Sequence, residues 1–221
     1  MKAWSIRDAA QRLGLSPQRV RALARSGRIQ ASKIGERWII HDALRTDRKR
    51  RPGRPIVSAN AWALLALLCG ESPDWIDPSV RSRLRRRLHD SDWLVEALIH
   101  SEPRSVIQKW RALPGDLEKL PREFHLVPSG LSAACVEIDL LPSPGEFDAY
   151  VEEKSLRAIE KRFRPDRTSS NVNMILRVPS HSWILGFPQA PPPVVAADLL
   201  GSDDPRAARA ARDLLKRLAH G

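Results

Sequence analysis

Residues 17–25, Pro-Gln-Arg-Val-Arg-Ala-Leu-Ala-Arg, separate polar and apolar side chains by a helical rule. At 3.6 residues per turn, Val20, Leu23 and Ala24 turn inward together. Gln18, Ala22 and Arg25 turn outward, flanked by Arg19 and Arg21. The outward set has the chemistry to read a nucleic-acid major groove. Gln bonds adenine bidentately, Arg bonds guanine O6 and N7, and a small Ala permits close approach. The same arginines can hold phosphate without reading a base. Two further cations, Lys33 and Arg37, stand on either side of Gly35-Glu36. A third basic group, Arg48, Lys49, Arg50, Arg51 and Arg54, follows within "RTDRKRRPGRP".

These residues need elements to aim them. Ser5 is placed to cap a helix from Ile6 to Leu13, in which Ile6, Ala9, Ala10 and Leu13 make one apolar stripe. Gly14 ends it and Leu15 fills the turn. Ser16 and Pro17 then supply the N-cap and first position of a second helix, which runs to about Ser26 and stops at Gly27. Two short helices joined by a tight Gly-containing turn predict a helix-turn-helix. Residues 28–40 read as a β-hairpin turning at Gly35, the wing of a winged helix, with Lys33 and Arg37 near its tip facing the sugar-phosphate backbone. Trp38 and Ile40 alternate inward to close a small core, and a short helix from Asp42 completes the domain.

Pro52, Gly53 and Pro55 rule out a regular helix in the basic stretch, which reads as an extended cationic strip. It resembles an AT-hook, with Pro52 in the place of the Arg that precedes the hook's Gly. Three readings stand open: Arg insertion into a narrow minor groove, looser phosphate contact, and a bare linker. Either kind of contact steepens the salt dependence of binding.

Composition agrees with a polyanion partner. Residues 1–55 hold 15 Lys/Arg against 4 Asp/Glu, whereas the remaining 166 residues hold 22 of each, so the whole formal charge of +11 is local to the head of the chain. The length suits one large or two modest domains. The expected division is 1–47 for the winged helix-turn-helix, 48–57 for the basic linker and 58–221 for a larger mixed domain. The fold class is α+β. No run of apolar residues reaches a membrane span, and the start lacks the apolar core of a signal peptide. A cytoplasmic protein without membrane association is expected, with Cys69 and Cys135 as buried free thiols. The six histidines show no paired ligand spacing, so no metal or cofactor is expected.

Beyond Pro55 the pattern predicts helices over Ser58–Leu68, Pro78–Leu88 (capped by Asp77), Asp92–Ile99, Ser105–Leu113 and Glu153–Phe163. A last helix opens at Asp204-Pro205. In that last helix Ala207, Ala211, Leu214, Leu215 and Leu218 form the apolar stripe. Strands are predicted over Cys135–Leu141, Phe147–Val151, Asn171–Val178 and Trp183–Phe187. Ala190–Pro193 reads as low-complexity. Arg81, Arg83, Arg85, Arg86 and Arg87 face either DNA, an acidic partner or plain solvent. Glu137 and Asp139 would share a strand face, as Mg²⁺-holding carboxylates of nucleotidyltransferases do. Ser129-Gly130 lies too close and in the wrong order for the phosphate-cradling turn such enzymes need, so no catalysis is expected.

Two resemblances follow. Residues 4–40, "WSIRDAAQRLGLSPQRVRALARSGRIQASKIGERWII", resemble the excisionase/MerR-type winged helix. The frame falls on Ala9, Ala10, Leu13, Gly14, Ser16, Val20, Leu23, Gly27, Ile29, Ala31, Lys33, Gly35, Trp38 and Ile40. That resemblance implies double-stranded DNA binding, with the second helix in the major groove and the wing on backbone or minor groove. Residues 120–218 are similar to the C-terminal region of AbiEi-type antitoxins. The similarity is carried by Asn171–Pro179 and by Asp198, Leu199, Leu200, Asp204, Pro205 and Arg206. It implies a regulator that represses its own operon and counteracts a separate nucleotidyltransferase-like toxin, with or without a direct complex. A lone helix-turn-helix binds weakly, which favours two sites, in a homodimer on DNA or a tandem array. The alternative expectation is an excisionase-like recombination directionality or architectural factor.

Overall fold

The computed structural model describes residues 3–13, 15–25, 29, 31–35, 37–41, 55–133 and 145–220. The chain divides into two units, Met1–Gly53 and Arg54–Gly221.

In the first unit, strand β1 (Ala3–Ser5) leads directly into helix α1 (Ile6–Leu13). The Asp8 amide donates to Ser5 Oγ at 3.2 Å, and Ser5 Oγ donates to the Asp8 carboxylate at 2.7 Å, so the cap is reciprocal. Leu15 N–H closes back on the Ala10 carbonyl at 3.0 Å and sets the turn. Helix α2 (Pro17–Arg25) starts with the Arg19 amide on Ser16 Oγ at 3.3 Å. Strands β2 (Ala31–Ile34) and β3 (Arg37–His41) form an antiparallel hairpin in which Ile34 pairs with Arg37. Only two residues join them, and Gly35 supplies the positive φ of +59° that such a turn requires. β1 pairs with the far side of β3, giving the order β1-β3-β2. The alternation argument did not anticipate this third strand, because three residues are too few to show a period. The core is small: Ala9, Ala10, Val20, Ala24, Ile29 and Ile40 are buried, with Trp4, Ile6, Leu15, Leu23 and Trp38 packed around them. The predicted helix from Asp42, Gly14 and Gly27 lie outside the described residues.

The second unit opens with α3 (Ser58–Leu68), apolar from Ala61 onward and buried from Ala61 to Leu67. It is followed by α4 (Pro78–Arg87), α5 (Ser91–Ile99), β4 (Ser105–Trp110), α6 (Pro114–Leu117), α7 (Leu120–Glu123) and β5 (Val127–Pro128). After a 3₁₀ turn at Gly130–Ala133 come β6 (Phe147–Tyr150), α8 (Glu153–Phe163), β7 (Met174–Pro179), a second 3₁₀ turn at Ser182–Gly186, α9 (Pro192–Leu199) and α10 (Pro205–His220). The described strands order as β4-β7-β6-β5, with β6 and β7 parallel and the other pairs antiparallel. One apolar cluster joins Trp110, Met174, Leu176 and Ala149 to Ile159 of α8. The other gathers α3, α5, α9 and α10 with Trp62, Leu94, Tyr150, Val195 and Leu215.

Two predicted elements change type. Ser105–Leu113 was expected as a helix; Ser105–Trp110 is instead an edge strand paired residue for residue with β7. Its apolar positions 106, 107, 110 and 113 fit a helical stripe, but β-branched Val106 and Ile107 suit a pleated edge. Trp183–Phe187 was expected as a strand and is a 3₁₀ turn, capped by His181 Nδ1 on the Trp183 amide at 3.2 Å. Its alternating large residues form an aromatic cluster: Trp183 packs edge-on against Trp62 and Phe187. Helix α9 begins in the stretch read as low-complexity, with Pro192 at its first position. The Cys135–Leu141 strand, with Glu137 and Asp139, lies outside the described residues, as does Cys135. Cys69 is a free thiol, half-buried, and burial with Glu71 nearby pushes its pKa up to about 12.

Candidate nucleic-acid interface

Helix α2 is held from one side only. Val20 is fully buried and Ala24 nearly so, which pins the helix against α1 and β3 and fixes its rotation. Gln18, Arg19, Arg21, Ala22 and Arg25 are all exposed. Gln18, Ala22 and Arg25 lie on the same outward face, with Arg21 and Arg19 at its margins, as helical spacing requires. None of the three arginines is in an ion pair with a described residue. Helix α2 has no acidic residue to oppose them, and Arg25 sits in its last turn.

In the hairpin, Ala31 pairs with Ile40 and Lys33 with Trp38. Paired residues share a face, so Lys33 lies on the face that carries the core, one step beyond its packed part, and is exposed. Arg37 opens β3 opposite Ile34; its side chain lies outside what the structure describes. Arg48, Lys49, Arg50, Arg51 and Arg54 also lie outside the described residues. The structure thus brings Gln18, Arg19, Arg21, Ala22, Arg25 and Lys33 onto one small unit. Arg7, exposed on α1, is a further cation of that unit which the spacing argument passed over. It is legible as the charged residue between the apolar positions Ile6 and Ala9.

Four charges of the second unit are drawn into one cluster, three of them buried. Asp198 of α9 accepts from Tyr150 Oη at 2.8 Å, Ser129 Oγ at 2.6 Å and Arg104 Nη2 at 2.9 Å. Arg177 of β7 clamps Asp148 of β6 with Nε and Nη2, both at 2.7 Å, and its Nη1 stands 3.9 Å from Asp198. Burial raises the Asp148 pKa against the pull of Arg177, and burial next to Asp198 raises that of Tyr150. Two carboxylates against two guanidiniums leave the cluster neutral. Gly130 approaches it so closely, at φ +50°, that a Cβ there would meet Asp148 Oδ2 at 2.1 Å. Sequence reasoning missed this cluster, although Asp148, Arg177 and Asp198 are each a lone charge inside an apolar run: "FDAYV", "MILRVP" and "VVAADLL". A cleft of about 830 Å³ borders it, lined by Lys109, Glu146, Asn173 and Asp203 among others. Its charges are of both signs and select no ligand.

Residues 5–43 match a family of helix-turn-helix domains. No curated protein and no solved structure matches the chain. The family match covers the unit that carries the exposed basic helix, and it points to a DNA-binding regulator. Among the described residues no helix is long and apolar enough to cross a membrane.

Proposed function

We propose that this protein is a sequence-specific regulator of double-stranded DNA in which α2 enters the major groove. The observation that carries the reading is the exposure of Gln18, Arg19, Arg21, Ala22 and Arg25 around a helix whose other side is buried. Gln18 and Arg25 read base edges, and Ala22 lets them approach. Arg19, Arg21 and Arg7 hold phosphates on either side. The β2–β3 hairpin acts as a wing, with Lys33 and Arg37 on the sugar-phosphate backbone. The basic stretch Arg48–Arg54 adds a minor-groove or phosphate contact.

The biological role we infer is repression by promoter occlusion, as the antitoxin of a toxin–antitoxin pair acting on its own operon. What supports that finer role is the similarity of residues 120–218 to AbiEi-type antitoxins. The chain acts by binding rather than by catalysis, as two copies on DNA, and its functional partner is a nucleotidyltransferase-like toxin. A neighbouring integrase gene would favour a recombination directionality factor instead.

The test is a titration of the chain's own upstream DNA with the full protein and with a variant carrying Arg21→Ala, Arg25→Ala and Arg54→Ala. The expected result is loss of at least ten-fold in specific affinity, about one good bidentate contact. Unaltered specific affinity would refute the mechanism.

A further inference from the structure

Helix α4 carries five arginines in seven residues, Arg81, Arg83, Arg85, Arg86 and Arg87, with no acidic residue between Pro78 and Leu88. This density sits in a stretch of chain, residues 56–221, whose opposite charges balance. The helix is anchored by Leu84, which is buried, and by Arg81, whose Nη1 donates to the Pro73 carbonyl at 2.8 Å. Asp77 caps its start by accepting from the Ser79 amide at 2.8 Å. With Leu84 inward, helical spacing turns Arg83, Arg85, Arg86 and Arg87 outward with Ser79 and Ser82 between them, and all six are exposed.

Elsewhere in the same unit, several exposed cations stand in ion pairs, whereas Lys109, Arg122, Lys161, Arg164 and Arg206, scattered singly, do not pair with a described residue. Lys154 meets Glu152, Arg157 meets Glu153, Arg162 meets Glu123, Arg167 meets Glu160, Arg209 meets Asp213 and Lys216 meets Asp92. Arg85 and Arg86 have no ion pair or hydrogen bond from their side chains to any described residue; Arg83 makes none either, though its charge reaches Asp77, and Arg87 lies 5.0 Å from the Trp93 ring centroid. Three of these arginines sit in the last helical turn, where the helix dipole favours cations. The dipole gives no reason for the absence of any acidic residue among them. Small serines between unpaired guanidiniums make a surface that a row of phosphates can approach closely, with bidentate contacts available.

We infer that the outer face of α4 is a second phosphate-binding surface, which takes the backbone of duplex DNA without regard to sequence. The inference rests on the reading of the first unit as the duplex reader. Once that unit is bound, the duplex is tethered to the second unit through the chain, so a grip that is weak alone adds affinity wherever the linker lets both engage. Acidic protein surfaces offer carboxylates to the same arginines. Duplex DNA is favoured because the chain already brings it.

The experiment measures binding of the full protein to a duplex that just covers the specific footprint and to one extended on both sides, over a range of salt. The variant carries Arg83→Gln, Arg85→Gln and Arg86→Gln, which keeps helix-forming residues in place. The expected result is a salt slope shallower by about 2 to 3 on the extended duplex, at about 0.9 per phosphate contact. The ratio of specific to scrambled affinity should stay unchanged, and the Arg→Lys triple should restore most of the slope. An unchanged slope on the extended duplex would overturn the inference while leaving the first unit's role intact, and so would an unchanged slope accompanied by loss of an acidic protein partner. If wild-type protein shows no preference for its own site while the triple variant still loses slope, the reading of α2 fails and the phosphate surface on α4 stands.

Discussion

Arg25 and Arg177 place the same guanidinium in opposite settings. In the first unit Arg25 is exposed on a helix whose buried side consists of Val20 and Ala24, and its neighbours Arg19 and Arg21 are likewise open to solvent. In the second unit Arg177 is buried, clamps Asp148 bidentately and faces Asp198, which is itself saturated by Arg104, Tyr150 and Ser129. The first unit has a small, alanine-rich core and keeps its charge available for a ligand. The second has two apolar clusters and, around Arg177, turns its charges on one another, where breaking one partner is costly. Charge count alone does not separate the two uses; pairing and burial do.

The largest effect should come from the buried cluster. Asp198→Ala leaves two guanidiniums short of a counter-charge and two hydroxyls without their acceptor. The expected cost is about 3–5 kcal/mol in urea unfolding, typical of breaking a buried pair from one side. Discrimination between specific and scrambled duplex, measured below the transition, should not change. A change in discrimination without a change in stability would break the comparison.

Arg25→Ala should show the reverse. Affinity for the specific duplex is expected to fall by about 1–3 kcal/mol, while the unfolding free energy stays within about 0.5 kcal/mol, as for exposed substitutions. Ser16→Ala removes the side-chain cap on the Arg19 amide and should cost about 1 kcal/mol. That loss should appear as weaker hydrogen-exchange protection in the first unit only.

The smallest effect is a pH dependence. His181 stacks on Trp75 at 4.2 Å, and burial lowers its pKa, with Asp74 pulling weakly the other way. The unfolded chain then takes the proton first, so the stability contribution is complete above the ordinary histidine value of about 6.5 and is lost as pH falls through it. A shallow drop in the unfolding midpoint is expected as pH falls below about 6.5 through the lowered folded value, and His181→Phe should remove it.

Much of this was legible in the sequence, for reasons that differ by element. Helices α1, α2, α3, α8 and α10 announce themselves through caps and stripes: Ser5, Ser16-Pro17, the apolar Ser58–Leu68 run and the Ala207–Leu218 periodicity. The exposed face of α2 follows from the same arithmetic that buries Val20. Ser105–Trp110 reads as a helix in sequence because what makes it a strand is pairing with β7, about seventy residues away, and long-range pairing leaves no local period. Helix α9 was missed because Pro191, Pro192 and Pro193 read as irregular chain, although proline is well placed in a first turn. The Asp148–Arg177–Asp198–Arg104 cluster joins four separated segments, and no spacing rule connects them.

The most direct test of the central claim is selection of duplexes from a random library by the full protein, followed by sequencing, alongside the same selection with Gln18→Ala and Arg25→Ala. Wild-type protein should enrich a defined motif, and each variant should relax it at one base position while keeping the rest. If wild-type protein enriches no motif, or both variants enrich the same motif as wild type, then the outer face of α2 does not read DNA.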